Sequence, residues 1–232
     1  MARETDLPEY FRSGRADILR FLPSHFSRVL EVGCGGGAFS EKLLRDDVEI
    51  WGIEPDKSAA DIARGKLTKV LNATFEAAAH ELPARYFDLI ICNDVIEHMP
   101  DHDQFLQAIK ATMTDDAVLV GSLPNIRHIT ALVKLLALKD FPYRNEGILD
   151  NTHLRFFTRK SIERTLRQNG YLVEALRGVN SIIKEGICRG TTMQNLFWRT
   201  FTSAVVGLSF GYYSDVAYPQ YAFRASLAPK SS

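Results

Sequence analysis

Short apolar runs recur along the chain, each ending in a turn signal and followed by a stretch with helical spacing. Residues 28–32, 48–53, 69–73, 86–92 and 116–123 have the length and composition of strands, and the continuous run in 86–92 suits a strand buried on both faces. Between them, 38–45, 56–64 and 101–113 read as helices, the second with Asp56 as its cap and the third amphipathic. A leading helix over 14–22 stops at Pro23. Further on, 129–138 reads as an apolar helix and 158–169 as a helix capped by Thr158 and stopped by Gly170; 171–177 and 221–227 read as strands. Strands alternating with helices imply an α/β fold built on a doubly wound parallel sheet.

Composition adds limits. With 46% hydrophobic residues in 232, the chain can bury one substantial core, most simply as a single domain over 1–232. Its 28 basic and 28 acidic residues cancel, so no global charge points to a nucleic acid. Cys34, Cys92 and Cys188 form no CxxC pair and are odd in number, which suggests neither a disulfide framework nor a zinc site. The charged first residues lack the apolar core of an ordinary secretion signal. A reducing, cytoplasmic setting is the expectation. No internal repeat, low-complexity tract or long linker interrupts the chain.

Candidate chemistry begins where the first strand enters a glycine-dense turn, Glu31-Val32-Gly33-Cys34-Gly35-Gly36-Gly37. Gly33, Gly35 and Gly37 lack the Cβ atoms that would hold a ligand away from the backbone, and a helix leaving at Ala38 would point free N–H groups at the loop. The spacing Gly33-x-Gly35-x-x-Ala38 also satisfies the dinucleotide fingerprint of NAD or NADP enzymes. Two acids tilt the reading. Glu31 lies at the strand end facing the loop. Glu54, followed by Pro55, lies about twenty residues beyond it, where a carboxylate can accept both ribose hydroxyls.

On these residues the chain resembles the class I S-adenosyl-L-methionine (SAM)-dependent methyltransferases: Glu31 to Phe39 is similar to their first motif and Gly52 to Asp56 to their second. The resemblance implies SAM as cofactor, S-adenosylhomocysteine as product, and a Rossmann-like sheet of seven strands with the last one antiparallel. Many relatives place an Asp for the adenine amino group where Thr74 stands here. Thr74 can accept that bond and Phe75 can stack on the base, or the pair can form an ordinary strand-end turn. Tyr10, Phe11, Arg12 and Arg15 can touch the cofactor or belong to a solvated helix.

The run at 86–92 ends in Asn93, Asp94, Glu97 and His98. Ligands sit beyond the carboxyl ends of strands in open α/β sheets, so this polar cluster falls where chemistry is expected. The stretch from Phe87 to Asp101 resembles a motif of small-molecule methyltransferases, which adds Asn93 and Asp94 to the cofactor side. On a helical turn Asp94, Glu97 and His98 would share one face. Ubiquinone-pathway O-methyltransferases, which the segment also resembles, use such a trio for a divalent metal. No metal is assigned here; fixing the loop through hydrogen bonds is the other use of Glu97 and His98.

The stretches 122–128 and 147–162 resemble a bacterial methyltransferase group linked with polysaccharide and glycan assembly. By that resemblance Asn125, His128, Asp150, His153 and Arg155 line an acceptor pocket. Residues 141–158 have little periodicity, which in a compact domain marks a functional loop. Methyl transfer needs an acceptor atom aligned with an activated carbon, and a hydroxyl acceptor must lose its proton. A neutral imidazole suits that task. His153 is the first candidate base and His98 the second; Asp150 can orient the imidazole or cap a turn.

Residues 191–213 are aromatic and apolar but too mixed to span a bilayer. They serve as a cap over the acceptor, a homodimer surface or an interfacial helix at a membrane. Residues 124–157 and 188–217 are thus the acceptor-side insertions. The expected activity is methyl transfer to a small molecule, with a sugar or glycan hydroxyl favoured. A quinone-type or other aromatic O-methyltransferase and a non-catalytic SAM-binding subunit of glycan assembly are the alternatives.

Overall fold

The computed structural model describes residues 15–185 and 191–229. Apolar runs become seven strands: β1 (Arg28–Val32), β2 (Glu49–Ile53), β3 (Lys69–Leu71), β4 (Phe87–Asn93), β5 (Met113–Pro124), β6 (Tyr171–Val179) and β7 (Gln220–Leu227). They form one sheet in the order β3-β2-β1-β4-β5-β7-β6. β1 to β5 pair in parallel, and β7 runs antiparallel to both β5 and β6. The seven-stranded α/β sheet with its last strand antiparallel is the expected one. The chain winds outward from β1 to β3 and then returns to β4 beside β1, with Val32 opposite Cys92. That reversal opens a crevice at the carboxyl ends of β1 and β4, the place where such sheets bind ligands.

Alternation along the strands explains why the runs are apolar throughout. Leu30, Val32, Ile90, Cys92 and Leu119 face one core, with Phe105, Leu106, Ile162 and Leu166 packed over them. Val29, Leu89, Ile91, Val118 and Val120 face the other, against Ile18, Phe21 and Ala63. Successive side chains leave a strand on opposite faces, so a central strand covered on both sides has no polar register.

The helices are α1 (Lys57–Ala63), α2 (Phe75–Ala78), α3 (His102–Thr112), α4 (Ile129–Leu132), α5 (Arg159–Gln168), α6 (Ile182–Glu185) and α7 (Thr192–Leu208). Asp56 caps α1, accepting from the N–H of Ala59 at 2.8 Å. Asp101 caps α3, accepting from Gln104 N–H at 2.8 Å. Thr158 and Ser161 form a reciprocal box at the start of α5, and Gly170 follows its end with φ +79°, as the sequence predicts. A third apolar cluster joins Ile129, Ile182, Val216 and Ala217 with Trp198 and Val205 of α7. It is a small core of its own, beside the sheet's carboxyl end.

Two expected helices are absent. Residues 38–45 make one 3-10 turn, Ser40–Leu43, because Ser40 is buried and its hydroxyl is committed to Glu31. The short connection that remains cannot repay helix nucleation. In the leading segment the described residues hold one 3-10 turn, Leu19–Phe21; Tyr10, Phe11 and Arg12 lie outside the described residues. The apolar stretch at 129–138 starts as α4 and widens into a π-helical turn over Val133–Ala137.

Candidate functional site

The glycine turn is held in the left-handed region at Gly33 (φ +70°), Gly35 (φ +52°) and Gly37 (φ +77°), which only glycine adopts without strain. A Cβ on Gly33 would also lie 2.8 Å from Cγ2 of Val95. Glu54, buried at the end of β2, binds the turn directly: Oε2 accepts from Gly35 N–H and Oε1 from Asp56 N–H, each at 2.8 Å. Burial raises its pKa. The carbonyls of Glu54 and Pro55 accept from Asn72 Nδ2 at 2.8 and 3.0 Å. Glu31 is buried beneath the loop, pushed up to about 8 by desolvation. The Cys34 side chain packs where a side chain on Gly52 would fall, 2.6 Å from that position, and burial raises its thiol pKa far above the free value.

At the end of β4, both amide atoms of Asn93 are buried without a hydrogen-bond partner. Such an orphaned amide calls for a ligand or water. Asp94, at φ +54°, is instead heavily engaged. It pairs with Arg15, and its Oδ1 accepts from Ser122 Oγ at 2.9 Å and Gln220 Nε2 at 3.0 Å. The arrangement fits SAM: an open glycine backbone, a carboxylate with spare lone pairs at the β2 end, and an unsatisfied amide beside them.

Three expectations change here. Arg15 is not a solvated helical residue; its guanidinium is largely buried between Asp17 and Asp94. Thr74 caps α2, accepting from Ala77 N–H at 3.4 Å. Phe75 is 4% exposed, with its ring edge-on to Phe105 at 4.7 Å, so starting a helix at Thr74 turns Phe75 into the core and not toward a base.

The predicted Asp94, Glu97 and His98 face does not form either. Asp94 precedes the 3-10 turn Ile96–His98 and lies in the left-handed region, so helical spacing does not carry it round. His153 takes its place, with one ligand-type atom from each of Glu97, His98 and His153 within 4.8 Å of the others. The loop reaches the site because Leu154 and Arg155 N–H donate to the Glu97 carbonyl at 2.8 and 3.2 Å. Glu97 is fully buried and neither carboxyl oxygen has a hydrogen-bond partner. Burial, reinforced by Asp94, holds its pKa well above the carboxylate range. His153 Nδ1 lies 3.3 Å from the Ile148 carbonyl and Nε2 lies 4.0 Å from Glu97 Oε1. Its pKa is lowered, first by burial and then by His98. His98 packs edge-on to His153, ring centroids 4.8 Å apart, with Nδ1 3.2 Å from the Thr152 carbonyl.

The remaining predicted residues divide. Asp150 caps a turn, accepting from Thr152 N–H and Oγ1–H at 2.8 and 2.6 Å; the Ile148 carbonyl contacts the His153 ring at Nδ1 instead. Arg155 donates to the carbonyls of Leu154 and Pro100. Asn125 is buried, and Nδ2 donates to the carbonyls of Asp215 and Tyr218 at 2.9 Å each. His128 is buried beside Thr130, with Nε2 unpartnered and its pKa pushed down to about 4 by desolvation. Asn125 thus ties down the turn over 215–218 beside the small third core, while Nε2 of His128 is buried without a hydrogen-bond partner. Glu97 as the neighbour of His153, and Arg15 and Gln220 around Asp94, are partners that sequence reasoning missed. They are far apart in the chain and no local pattern marks them.

A family model described as "Methyltransferase domain" matches residues 6–176. The chain is 27% identical over 159 residues to the ubiquinone biosynthesis O-methyltransferase of Aeromonas salmonicida, covering 66% of each chain. It is 24% identical over 159 residues to the mitochondrial enzyme of that name from Schizosaccharomyces pombe, covering 66% of this chain and 57% of that one. The match thus spans two thirds or less of the length of these relatives. A solved SAM-dependent methyltransferase from Archaeoglobus fulgidus superimposes with a TM-score of 0.66 at 21% identity, over 94% of this chain and 96% of that one. With a family model covering most of its length, the chain belongs to the methyltransferase domain family, and its sheet has the fold of the solved SAM-dependent methyltransferase.

Proposed function

We propose that the chain methylates a hydroxyl of a small-molecule acceptor, with a sugar or glycan hydroxyl favoured, and that His153 is its general base. The observation that carries this reading is the setting of His153: a depressed pKa, one ring nitrogen facing a carbonyl, and beside the other a buried carboxyl group whose pKa is raised. An Nδ1–H donated to Ile148 leaves the Nε2 lone pair free to accept a proton. SAM supplies an electrophilic methyl carbon when bound. The glycine turn, Glu54 and Asn93 would hold it at the crevice, with Glu31 and Asp94 shaping the walls. The loop over 141–158 excludes water and places the acceptor oxygen in line.

A sugar hydroxyl depends on such a base more than a phenol does, since a phenol already ionises near pH ~10. The 124–157 and 188–217 segments would form the acceptor side, although residues 188–190 lie outside the described residues. The test is transfer of radiolabelled methyl from SAM to a panel of sugar and catechol acceptors by the wild-type chain and His153→Ala. Transfer to neither class by the wild type would overturn the reading.

An aromatic hydroxyl is the second reading. It is supported by the relatives named for ubiquinone biosynthesis and by the rings of Phe141, Tyr143 and Phe156, which meet edge-on at 5.3 Å next to His153. Glu97, His98 and His153 would then be positioned to share a divalent cation. Loss of catechol methylation in EDTA, restored by magnesium, would favour it.

A further inference from the structure

A cavity of about 890 Å³ opens beside β6, three strands along the sheet from β4, between the start of α5 and residues 212–218. Five cationic side chains line it, Arg20, Arg127, Arg159, Lys160 and Arg177, against one carboxylate, Asp215. Only Arg127 has an ion-pair partner among the described residues, and that partner is Asp215. In a chain whose charges cancel overall, four cations without an ion pair among the described residues, converging from α5, β6 and the 3-10 turn Leu19–Phe21, make a local excess of positive potential.

Two of those cations break a local rule. Arg159 and Lys160 occupy the first turn of α5, which contains no acidic residue, although the positive end of a helix dipole disfavours basic side chains. Such a conflict between local preference and sequence is expected at functional sites. A bound anion removes it, drawing on both side chains and on the free N–H groups of the helix end.

The walls are built to hold their shape. Asn125 ties the carbonyls of Asp215 and Tyr218, and Arg127 clamps Asp215 and lies over the Tyr213 ring at 5.9 Å. A side chain on Gly178 would strike the Tyr218 ring at 2.2 Å, so that ring lies flat on bare backbone. Tyr212 and Tyr213 stand at the edge with centroids 5.0 Å apart, and Tyr221 completes the lining. Aromatic faces beside guanidinium groups suit a ring attached to a phosphate.

We propose that this cavity is a binding site for the phosphate or diphosphate group of a ligand, with the tyrosines receiving the ring attached to it. The anion is shared chemistry of two sources, a soluble nucleotide or sugar phosphate and a lipid-borne phosphate. The site stands apart from the identity of the methylated atom, and its test requires no turnover.

The full chain would be titrated calorimetrically with inorganic pyrophosphate and with uridine diphosphate, and sedimented with phosphatidylglycerol vesicles. Each assay would be repeated on Arg159→Gln/Lys160→Gln and on Arg45→Gln/Arg167→Gln, which removes two cations away from the cavity. The expected result is saturable binding of a soluble probe, weakened about tenfold or more by the first double variant, as for loss of charge-assisted hydrogen bonds, and unchanged by the second. Vesicle binding alone, lost only in the first variant, also supports the site and assigns its phosphate to a lipid. No binding in any assay, or equal losses in both variants, would overturn it. Thermal melting gives a second readout. Removing Arg159 and Lys160 should leave the free chain as stable or slightly more so, and should abolish the rise in Tm that pyrophosphate gives the wild type. A pyrophosphate-induced rise that persists in that variant would also overturn it.

Discussion

Nε2 of His153 lies 4.0 Å from Oε1 of Glu97, a carboxyl group with no exposure and no hydrogen bond. The two residues are joined because the loop carrying His153 is stitched by its backbone to the Glu97 carbonyl. Burial raises the pKa of Glu97 and lowers that of His153, so each is pushed toward its uncharged form.

If His153 takes the acceptor proton, its replacement should act on turnover alone. His153→Ala should lower kcat by about 10²–10⁴-fold and leave SAM affinity unchanged by calorimetry. His98→Ala should have a smaller effect. The wild-type acid limb of kcat/KM should lie below the ordinary histidine value of about 6.5, because burial and His98 lower the His153 pKa. An acid limb unchanged in His153→Ala would exclude this role.

Glu97→Gln copies the shape of a protonated carboxyl. Since burial disfavours the ionised form of Glu97, this variant should keep kcat within about threefold of wild type, about 0.7 kcal/mol in the barrier. A large loss would mean that the ionised form is the working one.

Glu31 links stability to pH. Its folded pKa of about 8 exceeds the free value of about 4.3, so the folded chain binds this proton more tightly than the unfolded chain. Its contribution is fully present below the unfolded pKa and is lost as pH rises toward 8. Glu31→Gln should therefore gain on wild type between pH 5 and pH 8 by about 1–3 kcal/mol, measured by urea unfolding at both values.

Glu54→Ala removes the acceptor of Gly35 and Asp56 N–H and the expected ribose partner. SAM binding should weaken by about tenfold to a hundredfold, and NADH should not bind either protein in the same titration. Retained SAM affinity would move the ribose site elsewhere.

Gly33→Ala meets both a left-handed backbone and Val95. It should cost about 1–3 kcal/mol of stability in chemical denaturation and weaken SAM binding. Val95→Ala should restore part of the stability by relieving the contact, but not the backbone strain.

The chain's local chemistry determined the sheet, most caps and the cofactor turn. Alternation in β1 and β4, the caps Asp56 and Thr158, and the stop at Gly170 depend on neighbours within a few residues, so they were legible in sequence. Contacts between distant segments were not. The 3-10 turn at Ser40–Leu43 follows from a hydroxyl reaching Glu31, and the displacement of Asp94 from Glu97 and His98 follows from one left-handed residue and Arg15. Asn125, expected at the acceptor by resemblance, also ties the carbonyls of Asp215 and Tyr218, which lie far along the chain. Sequence by itself fixes what each short segment prefers; which polar groups are buried together is decided by tertiary structure, because burial energies depend on neighbours brought from far along the chain.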